Sequence, residues 1–155
     1  MITFTRTDSE NNDFMSLVAL LDADLKVRDG VDHSFYAQYN KIDMIRNAIV
    51  CYENNKPVGC GAFKAYDDKT VEIKRMFVQK NYRGLGLSKK ILHELEQWAI
   101  ENKYSQALLE TSIHFQTARR LYETSGYTII PNYPPYVGLA ESVCMRKALI
   151  IPLSL

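Results

Sequence analysis

Between Ile73 and Lys90 the chain carries Lys74, Arg75, Lys80, Arg83, Lys89 and Lys90 and no acidic side chain, although its net charge is only +1. The positive charge is therefore local, and an anionic ligand accounts for it. Within the same stretch, Gly84 and Gly86 alternate with Leu85 and Leu87 just before a run with helical spacing. Glycine has no Cβ, so the backbone there turns sharply and approaches a ligand closely. The first N–H groups of the following helix have no intrahelical partners. Together these features make a candidate anion site, in which backbone amides and a helix N-terminus meet a phosphate; taken alone, the two glycines equally suit close packing at a strand-to-helix turn.

The elements that must position this loop can be read on either side of it. TVEIKRMFVQ, from Thr70, reads as a strand feeding the loop. After the loop, Ile91, Leu92, Leu95, Trp98 and Ala99 lie on one face of an amphipathic helix, with His93, Glu94, Glu96 and Gln97 largely off that face. Upstream, RNAIVCYE and PVGCGAFKAY flank Asn54-Asn55, whose tolerance of left-handed backbone suits a tight hairpin, and Asp67-Asp68-Lys69 makes the next turn. An antiparallel meander thus delivers the chain to the loop. Ile2 and Phe4 alternate with threonines in a short first strand. Phe14, Leu17, Val18, Leu21 and Leu25 mark a helix over 12–28, with Asp8 or Ser9 as its cap and Gly30 as its stop.

Downstream, QALLET (Gln106–Thr111) is an apolar strand, and the long helix before it predicts a parallel crossover connection. A shorter helix over Gln116–Thr124, with Ala118, Leu121 and Tyr122 in a stripe, stops at Gly126. Tyr127–Ile130 and SVCMRKAL read as strands. Between them, PNYPPYVG is a proline-broken loop suited to a cis X-Pro bond. The segment VDHSFYAQYNKIDMI has no clean period and reads as a short helix or a substrate-facing lid.

Composition narrows the class of protein. The chain has 155 residues, 46% apolar and 24% charged, which predicts one soluble globular domain over 1–155 and no general nucleic-acid or membrane-surface binder. Cys51, Cys60 and Cys144 are widely spaced, without C-x-x-C, and read as reduced core residues. The sequence shows no export signal or membrane-spanning run, so the expected compartment is the cytoplasm. His33 and His114 form no metal-binding spacing with the cysteines, and no metal is expected. The nucleotide-binding alternatives for the loop fail on context. A dinucleotide fingerprint wants a third glycine where Lys89 stands and a parallel βαβ start, and the P-loop pattern G-x-x-x-x-G-K-[ST] is absent.

Three stretches in order carry a family resemblance. Arg83-Gly84-Leu85-Gly86-Leu87-Ser88 matches [Q/R]-x-x-G-x-[G/A], with Ser88 in place of the last small residue; EIKRMFV precedes it, and ARRLYETSGY fits A-x-x-L-Y-x-x-x-G-[FY]. From about Val58 to Tyr127 the chain resembles the GNAT N-acetyltransferases. The resemblance implies a single α/β domain with a mixed, mostly antiparallel sheet and helices on both faces. It also implies acetyl-CoA as co-substrate, lying where neighbouring strands splay apart. Its pantetheine would pair with the backbone of Met76, Phe77 and Val78, and its pyrophosphate would sit on the N–H groups of Arg83, Gly84, Leu85, Gly86, Leu87, Ser88 and Lys89. An N–H near Phe77 or Val78 would polarise the thioester oxygen.

The implied acceptor is a primary amine, probed first among small molecules. At neutral pH only about one such amine in two thousand is unprotonated, so a base is useful. Glu72 matches the strand position of the general base in some members; read alone, it is equally a solvated carboxylate paired with Lys74. Glu110 is a second candidate base or amine anchor, or else a strand-end surface charge. Tyr122 matches the tyrosine near the CoA sulfur, a general acid, whereas its helical stripe alone would make it core. The family's asparagine contact is absent, because Phe115 stands there. Tyr36, Tyr39, Tyr133 and Tyr136 either line a cation–π pocket for the amine or cover core edges. The competing class is a non-catalytic acyl-CoA sensor, distinguished by CoA binding without turnover. The sequence does not fix the oligomeric state; a homodimer is one assembly to test.

Overall fold

The computed structural model describes residues 1–29 and 45–150. The lid segment with His33, Phe35, Tyr36, Tyr39 and Asp43, and the helix stop at Gly30, lie outside the described residues. Chain order is β1 (Ile2–Thr7), α1 (Asn12–Asp29), β2 (Asn47–Glu53), β3 (Lys56–Ala65), β4 (Thr70–Val78), a 3-10 turn (Lys80–Tyr82), α2 (Leu87–Glu101), β5 (Gln106–Ser112), α3 (Gln116–Thr124), β6 (Thr128–Ile130) and β7 (Ser142–Ala148). The strands follow the order β1-β2-β3-β4-β5-β7-β6 in one mixed seven-stranded sheet. β4 and β5 pair in parallel, as the crossover requires, while β1-β2, β2-β3, β5-β7 and β6-β7 are antiparallel. The chain divides into two compact units, Met1–Lys64 with Lys74–Leu95, and Ala65–Ile73 with the chain from Glu96 onward.

In the first unit the hairpin β2–β3 turns at Asn54 and Asn55, both with positive φ (49° and 70°), the conformation of a two-residue turn whose twist matches the strands. Helix α1 lays Phe14, Leu17 and Val18 against Ala48, Val50, Cys60 and Ala62, which share one face of β2 and β3. Its cap is Asn11 rather than Asp8 or Ser9: the Phe14 N–H donates to Asn11 Oδ1 at 2.9 Å. Asp8 instead accepts from the Glu10 N–H at 2.9 Å, forming the turn that leads into the helix. Helix α2 covers the opposite face of β3. A Cβ on Gly61 would stand 2.9 Å from Ile91 and Leu95 and 2.6 Å from the Met76 sulfur, so glycine here sets how closely α2 packs. Cys51 and Cys60 are free and buried in this unit.

In the second unit β7 lies between β5 and β6, with Glu110 opposite Cys144 and Ile130 opposite Cys144 on the other side. Leu108, Tyr133, Tyr136 and Cys144 form the core on that face. The loop before β7 contains a cis Pro134-Pro135 bond and is bonded to itself. Asn132 Nδ2 donates to the carbonyls of Tyr136 (3.2 Å) and Leu139 (3.1 Å), and the Tyr136 N–H donates to the Tyr133 carbonyl at 2.7 Å. Gly126, at φ 98°, ends α3.

Candidate active site

The first unit carries the glycine loop. Its entry is fixed to β3: the Gln79 N–H donates to the Val58 carbonyl at 2.8 Å and Gln79 Nε2 to the Pro57 carbonyl at 2.9 Å. Arg83 then folds back, its Nε donating to the Val78 carbonyl at 2.8 Å and its guanidinium lying 5.7 Å from the Phe77 ring centre. The Arg83 N–H is directed to the Lys80 carbonyl at 3.4 Å, so Arg83 contributes to the loop mainly through its side chain. Gly84 and Gly86 have φ of 83° and 77°, and a Cβ on either would meet nothing within 4 Å. Conformation, not crowding, demands glycine at both positions.

The Lys90 N–H closes the first turn of α2 onto the Gly86 carbonyl at 3.2 Å. The amides of Gly86, Leu87, Ser88 and Lys89 are therefore the ones that helix geometry leaves without an intrahelical acceptor. The first turn has no acidic residue, Leu87 is buried as its anchor, and Lys89 and Lys90 are exposed. A pyrophosphate fits this chemistry: free amides, a helix N-terminus, open space and cations, with no carboxylate opposing it.

The strand that feeds the loop is kinked. Arg75, in the middle of β4, has φ 58°, a left-handed conformation uncommon for a side-chain-bearing residue and a mark of functional strain. Its buried guanidinium pairs with Asp22 on α1 at 2.6 Å, and its carbonyl accepts from Cys60 Sγ at 3.3 Å. Beyond this kink Met76 and Phe77 are half-buried and Val78 is buried.

The second unit holds the titratable groups. Glu72 is 9% exposed, and the Tyr133 hydroxyl donates to its Oε2 at 2.6 Å. It is thus a buried, oriented carboxylate rather than the solvated one that the strand alone allowed. Glu72 pairs in register with Leu108, and Glu110 follows two residues later on the same face of β5. Glu110 is half-buried and accepts from Ser142 Oγ at 2.7 Å, so it is not a free strand-end charge. Burial raises the Cys144 thiol to about 11; the Tyr133 backbone N–H opposes this, while Glu110 and Glu72 both add to it. Both carboxylates therefore act on one sulfur.

Tyr122 is buried, and its ring meets Tyr127 edge-on at 5.9 Å. Burial, with the charge of Glu110 added, raises its hydroxyl well above the usual tyrosine range, so it stays protonated and able to donate. His114 is an exposed loop residue 3.3 Å from Glu141. Tyr133 and Tyr136 are buried, with ring centres 5.6 Å apart and edge-on, which makes them walls of the core at this point.

Two buried polar contacts are not legible in the sequence. Glu96, placed off the apolar face of α2, is only 5% exposed: the Tyr127 hydroxyl and Lys147 Nζ each donate to it at 2.8 Å. Its four-residue spacing from Leu92 was the available signal. Tyr133 was grouped with loop tyrosines, and nothing local to PNYPPYVG pairs it with a residue 61 positions away.

The first unit thus carries an open glycine loop at a helix N-terminus, and the second an oriented, buried carboxylate. The profile of the acetyltransferase (GNAT) family matches residues 15–127, and the chain belongs to that family. An N-acetyltransferase of Bacillus subtilis without an established role, YsnE, is 32% identical over 100 residues, covering 63% of this chain and 66% of its own length. A Klebsiella pneumoniae protein assigned as an acyl-CoA N-acyltransferase superposes with a TM-score of 0.81 at 28% identity, over 97% of this chain and 99% of its own. A GNAT acetyltransferase of Elizabethkingia anophelis, solved with acetyl-CoA bound, shares the fold with a TM-score of 0.68 at 16% identity, over 96% of this chain and 98% of its own. Among the described residues no helix is long and apolar enough to cross a membrane.

Proposed function

We propose that this chain is a single acetyltransferase domain that uses acetyl-CoA to acetylate a primary amine of a small molecule by direct attack in a ternary complex. The observation that carries this reading is β4 itself. One strand presents a buried carboxylate at Glu72, kinks at Arg75, and runs through Met76–Val78 into an open, cation-flanked glycine loop. The acetyl-CoA-bound relative of the same fold supports the choice of donor.

In this reading acetyl-CoA supplies the thioester carbonyl as electrophile. The amides of Gly86, Leu87, Ser88 and Lys89 hold the pyrophosphate, and Arg83, Lys89 and Lys90 neutralise it. The β4 backbone at Met76, Phe77 and Val78 lines up the pantetheine, and an N–H at Phe77 or Val78 donates to the carbonyl oxygen as negative charge develops there. Glu72 accepts the proton that the ammonium must lose before its lone pair can attack. Glu110 anchors the amine or serves as the second base. The Tyr122 hydroxyl donates toward the departing sulfur, which leaves as thiol, and the second proton that the nitrogen sheds in becoming an amide restores the hydroxyl. No residue is acylated in this scheme.

The test is release of CoA thiol from acetyl-CoA with a panel of spermidine, benzylamine, aspartate, lysine and a short lysine-containing peptide, beside calorimetric binding of CoA. Turnover on a small amine is the expected result. Tight CoA binding with no turnover on any of the panel would refute the enzymatic reading in favour of a sensor. Preference for the peptide would refute the small-molecule acceptor.

A further inference from the structure

We propose that Tyr133 is a positioning residue for the acceptor base, holding the Glu72 carboxylate in the orientation from which it takes the amine proton. The inference rests on Glu72 being that base.

The geometry gives the direction of control. Four contacts fix the Tyr133 ring and its backbone: Tyr66 edge-on at 5.3 Å, Tyr136 edge-on at 5.6 Å, the backbone N–H on Cys144, and the hydroxyl on Glu72 at 2.6 Å. The loop beneath it is bonded to itself through Asn132, Tyr136 and Leu139. Glu72 has three rotatable side-chain bonds on an extended strand. A ring held at several points meets the carboxylate through a short, charge-assisted hydrogen bond, so the ring helps to set the carboxylate's orientation.

The titratable groups around Glu72 favour a clean readout. The Tyr133 hydroxyl meets it from the loop, and Cys144 on β7 lies within the influence of both Glu72 and Glu110 on β5; Tyr66 and Tyr136 pack edge-on against the Tyr133 ring, and Lys74 follows two residues on along β4. Burial, followed by the Glu72 charge, holds the Tyr133 hydroxyl neutral far above its usual range, and Cys144 is raised to about 11. Between pH 5 and 9 neither of these two changes charge. A carboxylate that loses a donor holds its own proton more tightly, so removing the hydroxyl moves the acidic limb of the rate profile upward.

The experiment measures kcat and KM from pH 5 to 9, with the panel amine of highest turnover, for wild type, Tyr133→Phe, Glu72→Gln and the double variant, with thermal melting of each. Phenylalanine keeps the ring and its edge contacts. Tyr133→Phe should lower kcat about tenfold, the loss of roughly one oriented hydrogen bond, keep KM for acetyl-CoA within about twofold, and move the acidic limb upward. In the Glu72→Gln background it should have less than about a twofold further effect. Melting each variant at every pH of the profile separates a shifted limb from acid unfolding of the variant. A limb that disappears in Glu72→Gln but stays put in Tyr133→Phe, or an equal loss in both backgrounds, overturns the positioning role alone. A limb unchanged in Glu72→Gln overturns the base assignment and this inference with it.

Discussion

At Tyr122 a single oxygen separates a catalytic residue from a core one. The ring is buried and edge-on to Tyr127, and both contacts survive replacement by phenylalanine. Tyr122→Phe should therefore lower kcat by roughly 10²-fold, within the range for loss of a general acid, and leave the calorimetric affinity for CoA unchanged. Unaltered turnover would return Tyr122 to the core. Glu72 differs because its partner is known. Glu72→Gln keeps an acceptor for the Tyr133 hydroxyl and removes the negative charge, so the fold should tolerate it while the acidic limb of kcat/KM vanishes. A melting temperature lowered by many degrees with an intact limb would identify Glu72 as structural.

Elements decide what those atoms can reach, and Gly61 and Gly86 of the first unit illustrate opposite uses of the missing Cβ. At Gly61 the cause is space. An alanine methyl must displace Ile91, Leu95 or Met76, and Gly61→Ala should destabilise by about 1–3 kcal/mol through overpacking, read as a lower denaturant midpoint with unchanged slope. At Gly86 the cause is backbone conformation. Gly86→Ala meets no atom and should cost only about 1 kcal/mol of strain. Gly86→Glu, which adds a negative charge at the helix N-terminus, should abolish CoA binding; unchanged affinity would sink the cradle assignment. Strands, hairpins and the loop–helix junction were legible in sequence because they rest on local periods and turn residues: Asn54-Asn55, Gly84, Gly86 and Gly126 all adopt the positive φ that their types suggest. The kink at Arg75 was not legible. Nothing in an arginine's type asks for left-handed backbone, and what holds it is an ion pair with Asp22, 53 residues away.

At the scale of the whole molecule, the same difference between local and long-range information explains why the burial of Glu96 and the bond from Tyr133 to Glu72 are not legible in the sequence: each depends on a partner distant along the chain. These partnerships make stability depend on pH in a predictable direction. Burial, then the charges of Glu96 and Glu72 respectively, raise the hydroxyls of Tyr127 and Tyr133 far above the ordinary tyrosine value, while in the unfolded chain both titrate near ~10. Because the folded state holds these protons more tightly, the stability they confer is fully present below about pH 10 and falls as pH rises through and beyond that value, where the unfolded chain releases protons that the folded one keeps. Melting temperature measured from pH 8 to 11 should be level at first and then decline. Tyr127→Phe removes one of the two groups and with it a share of the slope above pH 10, at the cost of leaving Glu96 one donor short but still paired with Lys147. The variant should therefore melt lower than wild type at pH 8 and converge toward it by pH 11. Parallel curves over the whole range would show that the Tyr127 hydroxyl releases its proton equally readily in the folded and unfolded chain, contrary to its burial against Glu96.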